Sequence, residues 1–345
     1  MQATSSGHSG VGAADGRERG AAGRCDGRTS SRRAAAGPGD GPGPEPAQGA
    51  GRLPASASAL VWSEIVFPGE AAVRESAAFL FGLVIGSFLN VCIYRIPKGE
   101  SVVAPRSRCP ACGHPLPWYE NIPLVSYLAL RARCSACGMR ISPQYFVVEL
   151  LTGLLFAVLA ANFGLGAELL KYAVFGSLMI ALMIIDLRDR LLPDRLTFSG
   201  LLLGVGFSAV VMLQDGSAAA LTSPLGEWPP RLLSMFDALL GASAGAATLW
   251  IVREGYFRWR KVEGMGFGDL KLIAMIGAFL GPQLALLTIF FGSLAGSLLG
   301  GAFILIFRHR DTRYELPFGT FLGATGLFSA LWGKEIVRWY LAQFS

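Results

Sequence analysis

The sequence predicts an all-α polytopic membrane protein, with about eight transmembrane helices and a small cytoplasmic zinc-binding loop module between the first and second. Three observations lead there. The 345-residue chain is 52% hydrophobic and only 16% charged, with a mean hydropathy of +0.47, too apolar for an ordinary soluble domain and too continuous for a disordered chain. Apolar runs approaching the ~20 residues that a bilayer-spanning helix needs recur near 77–93, 145–163, 169–185, 196–213, 232–252, 270–281, 285–307 and 317–333. Lys and Arg, finally, crowd alternate connections between these runs.

That third observation sets the orientation, because basic residues in short loops stay on the cytoplasmic side. Arg95, Lys98, Arg106, Arg108, Arg131, Arg133 and Arg140 lie between the first and second runs. Arg188, Arg190 and Arg195 follow the third, Arg253, Arg258, Arg260 and Lys261 the fifth, and Arg308, Arg310 and Arg313 the seventh. The opposite connections, near 164–168, 214–230 and 282–284, hold none. The N-terminus is expected outside and the four basic loops in the cytoplasm. The net charge of +6 then reports orientation, and without an aromatic-interleaved basic face it does not point to nucleic acid.

Taken in order, residues 1–60 are rich in Gly, Ala, Ser, Pro and Arg and carry too few large apolar residues to offset ordering entropy. They are expected to be a disordered extension, or the product of a start codon placed too far upstream, with Cys25 incidental. Residues 61–94 carry the first span, 95–144 the module, and 145–345 a seven-helix core. In the first span, Gly82 and Gly86 let a neighbouring helix approach closely. Asn90 offers a polar bond between helices, and Cys92 reads as a small buried residue.

The module holds Cys109-Pro110-Ala111-Cys112-Gly113-His114 and, after 21 residues beyond Cys112, Cys134-Ser135-Ala136-Cys137-Gly138. Two Cys-x-x-Cys knuckles, each followed by glycine, supply four thiolates with tetrahedral reach, a structural zinc site that leaves no open position for catalysis. Two disulfides are the weaker alternative in a reducing compartment. His114 could stand in for a ligand but reads as a solvent-facing loop histidine. Between the knuckles, Pro117 to Leu128 concentrates aromatics and prolines, either as filling for the module or as a ligand surface. Glu149, just inside the second span, is expected to pair with an arginine.

Two acidic stretches carry the chemistry. Asp186 directly follows Ile180-Ala181-Leu182-Met183-Ile184-Ile185, while Asp189 sits among arginines as a solvated ion pair and Asp194, after Pro193, is placed to cap the next helix. The second stretch is Gly264-Met265-Gly266-Phe267-Gly268-Asp269-Leu270-Lys271, in which Gly266 and Gly268 leave room for an extended peptide beside Asp269. The topology sets Asp186 and Asp269 at the same membrane depth. Two close carboxylates cannot both ionise cheaply, so one keeps a proton while the other takes one from water, which is aspartic-protease chemistry. A phosphate cradle is not supported, since Gly-x-x-x-x-Gly-Lys-Ser/Thr is absent.

These residues resemble the bacterial prepilin peptidase family, also called type IV leader peptidases, within the Gly-x-Gly-Asp intramembrane aspartic proteases. The resemblance covers roughly residues 78–340. It rests on Gly86-Ser87-Phe88-Leu89-Asn90-Val91, both cysteine pairs, Glu120-Asn121-Ile122-Pro123-Leu124-Val125-Ser126-Tyr127, Asp186 with Leu192-Pro193-Asp194, Gly266-Phe267-Gly268-Asp269-Leu270-Lys271 and Pro317-Phe318-Gly319. It implies that Asp186 and Asp269 are catalytic, with Gly266, Gly268, Lys271, Pro317 and Gly319 near the substrate. It also implies cleavage of the basic leader of prepilins or pseudopilins after glycine, at the cytoplasmic face of a bacterial inner membrane. Methylation of the new N-terminus by S-adenosylmethionine is associated with the cysteine-bearing loop. One departure stands out: many relatives have glycine shortly before the third cysteine, where this chain reads Leu130-Arg131-Ala132-Arg133-Cys134. A non-enzymatic membrane scaffold or transporter with a zinc docking loop is the rival reading, and a presenilin-type protease a third that gives no reason for the cysteines.

Overall fold

A computed structural model describes residues 68–109, 111–213, 217, 221, 228–262, 265–307 and 317–344. The expectations for residues 1–60, for Cys25, for Gly264 and for Arg308, Arg310 and Arg313 lie outside the described residues. All described residues fall within one unit, Pro54–Ser345.

Eight long helices follow one another: α1 (Pro68–Arg95), α2 (Pro143–Phe163), α3 (Ala167–Asp189), α4 (Asp194–Ser208), α5 (Pro230–Arg260), α6 (Phe267–Leu280), α7 (Pro282–Phe307) and α8 (Phe318–Leu341). Each answers to one of the eight apolar runs. Five of them, α1, α2, α3, α5 and α7, are long and apolar enough to cross a membrane by length and composition. At 15 and 14 residues, α4 and α6 rise only ~21–23 Å against a hydrocarbon core of ~30 Å. In α8, Lys334, Glu335 and Arg338 fall within the last eight residues.

The short α6 is nevertheless the centre of the bundle. It packs on α4, α5, α7 and α8, and nine of its fourteen residues are buried, which is what a helix apolar on all sides requires. Phe279 meets the rings of Phe175 from α3 at 5.1 Å and Phe207 from α4 at 6.2 Å. Where α5 crosses α6, Gly241 and Gly277 bring backbone against backbone, so a Cβ on either would overlap the other's carbonyl. We expect Gly277→Val to destabilise the protein by ~3 kcal/mol, the upper end for overpacking, and Gly206→Val, which faces open space, to be near neutral. Unfolding in detergent followed by circular dichroism measures both.

A second close contact joins α1 to α2. Built Cβ atoms at Gly82 and Gly86 would lie 2.8 Å from the Thr152 carbonyl oxygen and 2.7 Å from the Glu149 Cα, as the small-residue spacing predicts. Asn90 donates from Nδ2 to the Tyr145 carbonyl at 3.0 Å, and Cys92 is buried.

Two expectations are corrected here. Among the described residues Glu149 pairs with no arginine; its Oε2 accepts the Leu124 N–H at 2.8 Å and the Ser87 hydroxyl also bonds to it, because the module and α1 bring neutral donors to it first. Asp194 does not cap α4. Pro193 is the N-cap residue, and the Asp194 carboxylate reaches sideways to Lys271 of α6 at 2.6 Å, a full charge being a stronger partner than a backbone amide. Asp189 does form its exposed ion pair, with Arg188 at 2.8 Å.

Candidate active site and metal centre

Asp186 lies in the last turn of α3, and α8 begins beside it. Pro317 is the N-cap residue of α8, and the Thr320 N–H in its first turn is shared between the Pro317 carbonyl at 3.2 Å and Asp186. The Asp186 Oδ2 takes the Thr320 N–H at 2.7 Å and the Thr320 hydroxyl at 2.9 Å. Gly319 makes this possible: a Cβ there would stand 3.0 Å from the same carboxylate oxygen.

Asp269 occupies the third position of α6. Its carboxylate reaches back to the N–H of Gly266, the N-cap residue, the same reciprocal geometry by which an acidic residue closes a helix start. Arg253 of α5 holds this entrance. Its Nε donates to the Met265 carbonyl at 3.1 Å and its guanidinium lies 4.0 Å from the centre of the Phe267 ring. Gly266 itself faces open space, nothing but Gly268 N lying within 4 Å of a built Cβ.

Leu192, in the turn after α3, joins the two halves. A Cβ on Gly268 or on Gly319 would come within 3.1 Å of its Cδ1, so one leucine side chain fits between the α6 and α8 entrances. Both carboxylates are buried, at 6% exposure for Asp186 and 9% for Asp269, and they interact electrostatically. The structure therefore brings together Asp186, Asp269, Gly266, Gly268 and Gly319, with Pro317 at the margin. Lys271 stands apart, bound to Asp194 and lying 5.4 Å over the Phe198 ring.

The four module cysteines also converge. The sulfurs of Cys109, Cys112, Cys134 and Cys137 all lie within 4.8 Å of one another, and no disulfide joins the described cysteines. Cys109 to Cys137 measures 3.9 Å and Cys112 to Cys134 4.0 Å. A tetrahedral ion with metal–sulfur bonds of ~2.3 Å places its sulfurs ~3.8 Å apart, so the set fits a metal ion. The knuckles are built alike. Cys109 N–H donates to the His114 carbonyl and Cys134 N–H to Met139, while Gly113 and Gly138 N–H close the turns onto Cys109 and Cys134. Both glycines are left-handed, with φ of 71° and 69°, which is why glycine follows each pair. The N–H groups of Cys112 and Ala111 bring the Cys109 thiol down to about 7, toward the thiolate that binds metal. His114 takes no part in the cluster.

Comparison with known proteins bears on both sites. Residues 80–163 match the Bacterial Peptidase A24 N-terminal domain and residues 173–301 the Type IV leader peptidase family. A prepilin leader peptidase/N-methyltransferase of Aeromonas hydrophila is 37% identical over 293 residues, 78% of this chain and 94% of that relative. The chain belongs to the type IV leader peptidase family. Proteins of the same description from Myxococcus xanthus (strain DK1622), 44% identical over 69% of this chain and 66% of that relative, and Bacillus subtilis (strain 168), 36% identical over 77% and 97%, are also similar. No solved structure matches.

The departure before the third cysteine falls where the backbone favours glycine. Arg131 and Ala132 are both left-handed, at φ of 52° and 57°, a conformation that suits glycine and strains other residues by ~1–2 kcal/mol. We expect Ala132→Gly to stabilise the module by ~0.5–1 kcal/mol, read as slower hydrogen exchange at the second knuckle. Sequence reasoning missed Thr320, Leu192 and Arg253. Thr320 adjoins one quoted motif and Leu192 begins another, but nothing in their spacing announces a contact with a residue over a hundred positions away or between two remote helix starts.

Proposed function

We propose that this protein removes the basic leader from prepilins or pseudopilins after a glycine, at the cytoplasmic face of a bacterial inner membrane, with Asp186 and Asp269 as its catalytic pair. The observation that carries the reading is the meeting of these two buried carboxylates at the common end of α3, α6 and α8, fixed by Thr320, Gly266 and Leu192. The relatives' names support the substrate class. The basic leader stays in the cytoplasm, the apolar pilin helix lies in the bilayer, and the glycine junction extends beside Gly266 and Gly268.

Asp186, whose Oδ2 holds two donors suited to a charged carboxylate, takes a proton from a water molecule. The hydroxyl attacks the glycine carbonyl carbon as Asp269 gives its proton to the carbonyl oxygen. Collapse of the tetrahedral adduct returns that proton to Asp269, breaks the C–N bond and passes the proton on Asp186 to the leaving amine. Lys271 acts through Asp194, tying α4 to α6 near the pair. Thr320 is a positioning residue. Thr320→Val removes one bond to a charged group, ~1.5–3 kcal/mol, so cleavage should fall at least ~10-fold, with recovery in Thr320→Ser.

The four-thiolate cluster takes Zn²⁺ as a structural ion: Cys109, Cys112, Cys134 and Cys137 complete its coordination and leave no position for water. Methylation of the new N-terminus by S-adenosylmethionine, an electrophilic methyl donor, is the second activity that the relatives' names support. The deciding experiment is mass spectrometry of a pilin substrate incubated with purified protein in detergent, with and without S-adenosylmethionine. Leader loss followed by a gain of one methyl group is expected. No cleavage of several pilins by a folded, zinc-loaded preparation would return the protein to the scaffold or transporter reading.

A further inference from the structure

The segment between the zinc knuckles, Pro117 to Leu130, does not fill the module. Trp118 is 75% exposed, Val125 59% and Leu128 64%, with Tyr119 and Ile122 exposed beside them. An apolar face of this size on a water-facing loop needs a partner, and its position identifies one.

The segment folds back along the membrane helices. Ile122 and Pro123 line one cavity of about 580 Å³ with Val84, Ser87, Phe88 and Val91 of α1. Ser87 lies eight residues before the end of α1 at Arg95, ~12 Å along the axis at 1.5 Å per residue. Leu124 N–H is bound to Glu149, ~9 Å inside the start of α2 by the same rise. The headgroup layer on each side of a bilayer is only ~5–7 Å thick. Val84 and Phe88, within the span Gly69–Lys98 and at least half exposed, face acyl chains, so the cavity opens to lipid.

Irregular backbone survives at that depth only when its polar groups are satisfied, and six N–H groups of the segment have acceptors, while the Glu120 Oε2 is buried without a partner among the described residues. The N–H groups of Glu120, Val125, Ser126, Leu128 and Leu130 bond to carbonyls within the segment, and Leu124 N–H to Glu149. Pro117 and Pro123 have none to place. The Ser126 hydroxyl donates to the Ile122 carbonyl at 2.6 Å. Glu120 is the segment's one charged residue. Around it, residues 95–142 carry seven basic and two acidic side chains, with Arg106 exposed on the cavity wall, the complement of an anionic lipid surface.

We propose that Pro117–Leu130 is a re-entrant membrane anchor, its Trp118, Tyr119, Val125 and Leu128 immersed in the near leaflet, with an anionic phospholipid seated between it and α1 against Arg106. The zinc module is thereby held at the membrane surface as a lipid-facing element. This reading does not depend on cleavage or methylation.

The test is photocrosslinking from p-benzoylphenylalanine placed at Val125 or Leu128 in the full, zinc-loaded protein, in nanodiscs of phosphatidylethanolamine and phosphatidylglycerol. Leu80, exposed on α1, is the lipid-facing control, and Ser135 of the second knuckle the water-facing one. Phospholipid adducts at Val125 and Leu128 should approach those at Leu80 and exceed those at Ser135 by at least ~10-fold, as burial of apolar side chains in the interface requires. Arg106→Gln should lower the phosphatidylglycerol share of the adducts to its share in the disc. Lipid adducts at Leu80 but not at Val125 or Leu128 would overturn the proposal. So would adducts to an added pilin peptide that displace lipid, since the face would then belong to the substrate.

Discussion

Asp269→Asn should lose leader cleavage by at least ~10³-fold, within the range that a positioned acid or base contributes, and Asp186→Asn should do the same. Both should remain folded. The amide keeps the size of the carboxyl, and each substitution leaves a single ionisable group in a buried site where two carboxylates cannot both ionise cheaply, so thermal stability should be unchanged or higher. The Gly266 N–H keeps an oxygen acceptor in Asp269→Asn, and the Thr320 donors keep one in Asp186→Asn. Wild-type and variant proteins are compared by mass spectrometry of the cleaved pilin beside an unfolding curve. Residual cleavage near the wild-type rate by a folded variant would remove that aspartate from the pair.

Metal removal should have the second large effect, confined to the module. Structural zinc contributes ~10–16 kcal/mol of apparent binding free energy to small Cys-ligated folds, far more than the short knuckle turns gain from their own hydrogen bonds. We expect one zinc per chain by elemental analysis, its loss in Cys109→Ser/Cys134→Ser, and rapid hydrogen exchange over residues 107–140 in that variant or after chelation. The helical bundle should keep its far-ultraviolet circular dichroism, because α3 to α8 pack on one another without the module. Uptake should weaken as the pH falls, since each sulfur must shed its proton to bind. Retention of stoichiometric zinc by the double variant would show that the four cysteines are not the ligand set.

Much of this was legible in the chain. Each long helix coincides with an apolar run because hydrophobicity over twenty residues is local and additive. The knuckles were legible for the same reason, since Cys-x-x-Cys-Gly sets a turn, two sulfurs and a left-handed glycine within five residues. Asp186 and Asp269 stood out because a carboxylate bordering such a run is costly without a use. Less was legible at the cysteine-bearing loop, where aromatic and proline density fitted filling as well as a surface. Exposure of Trp118 and Leu128 depends on where α1 and α2 run, which the loop's own residues do not encode.

The sequence by itself determined the helical spans, the expected orientation of the basic loops, the four cysteines that could hold a metal and the two acidic residues worth pairing. Each is a property of a short stretch, governed by hydrophobicity, charge or turn geometry within a few residues. Tertiary structure decided that Thr320 holds Asp186, that Leu192 fits between Gly268 and Gly319, that Gly241 meets Gly277, and that Glu149 bonds Leu124 while Lys271 bonds Asp194. Those contacts join residues on different elements, and their geometry follows from how close the glycines let whole helices approach, a property of the packed bundle that no single stretch contains.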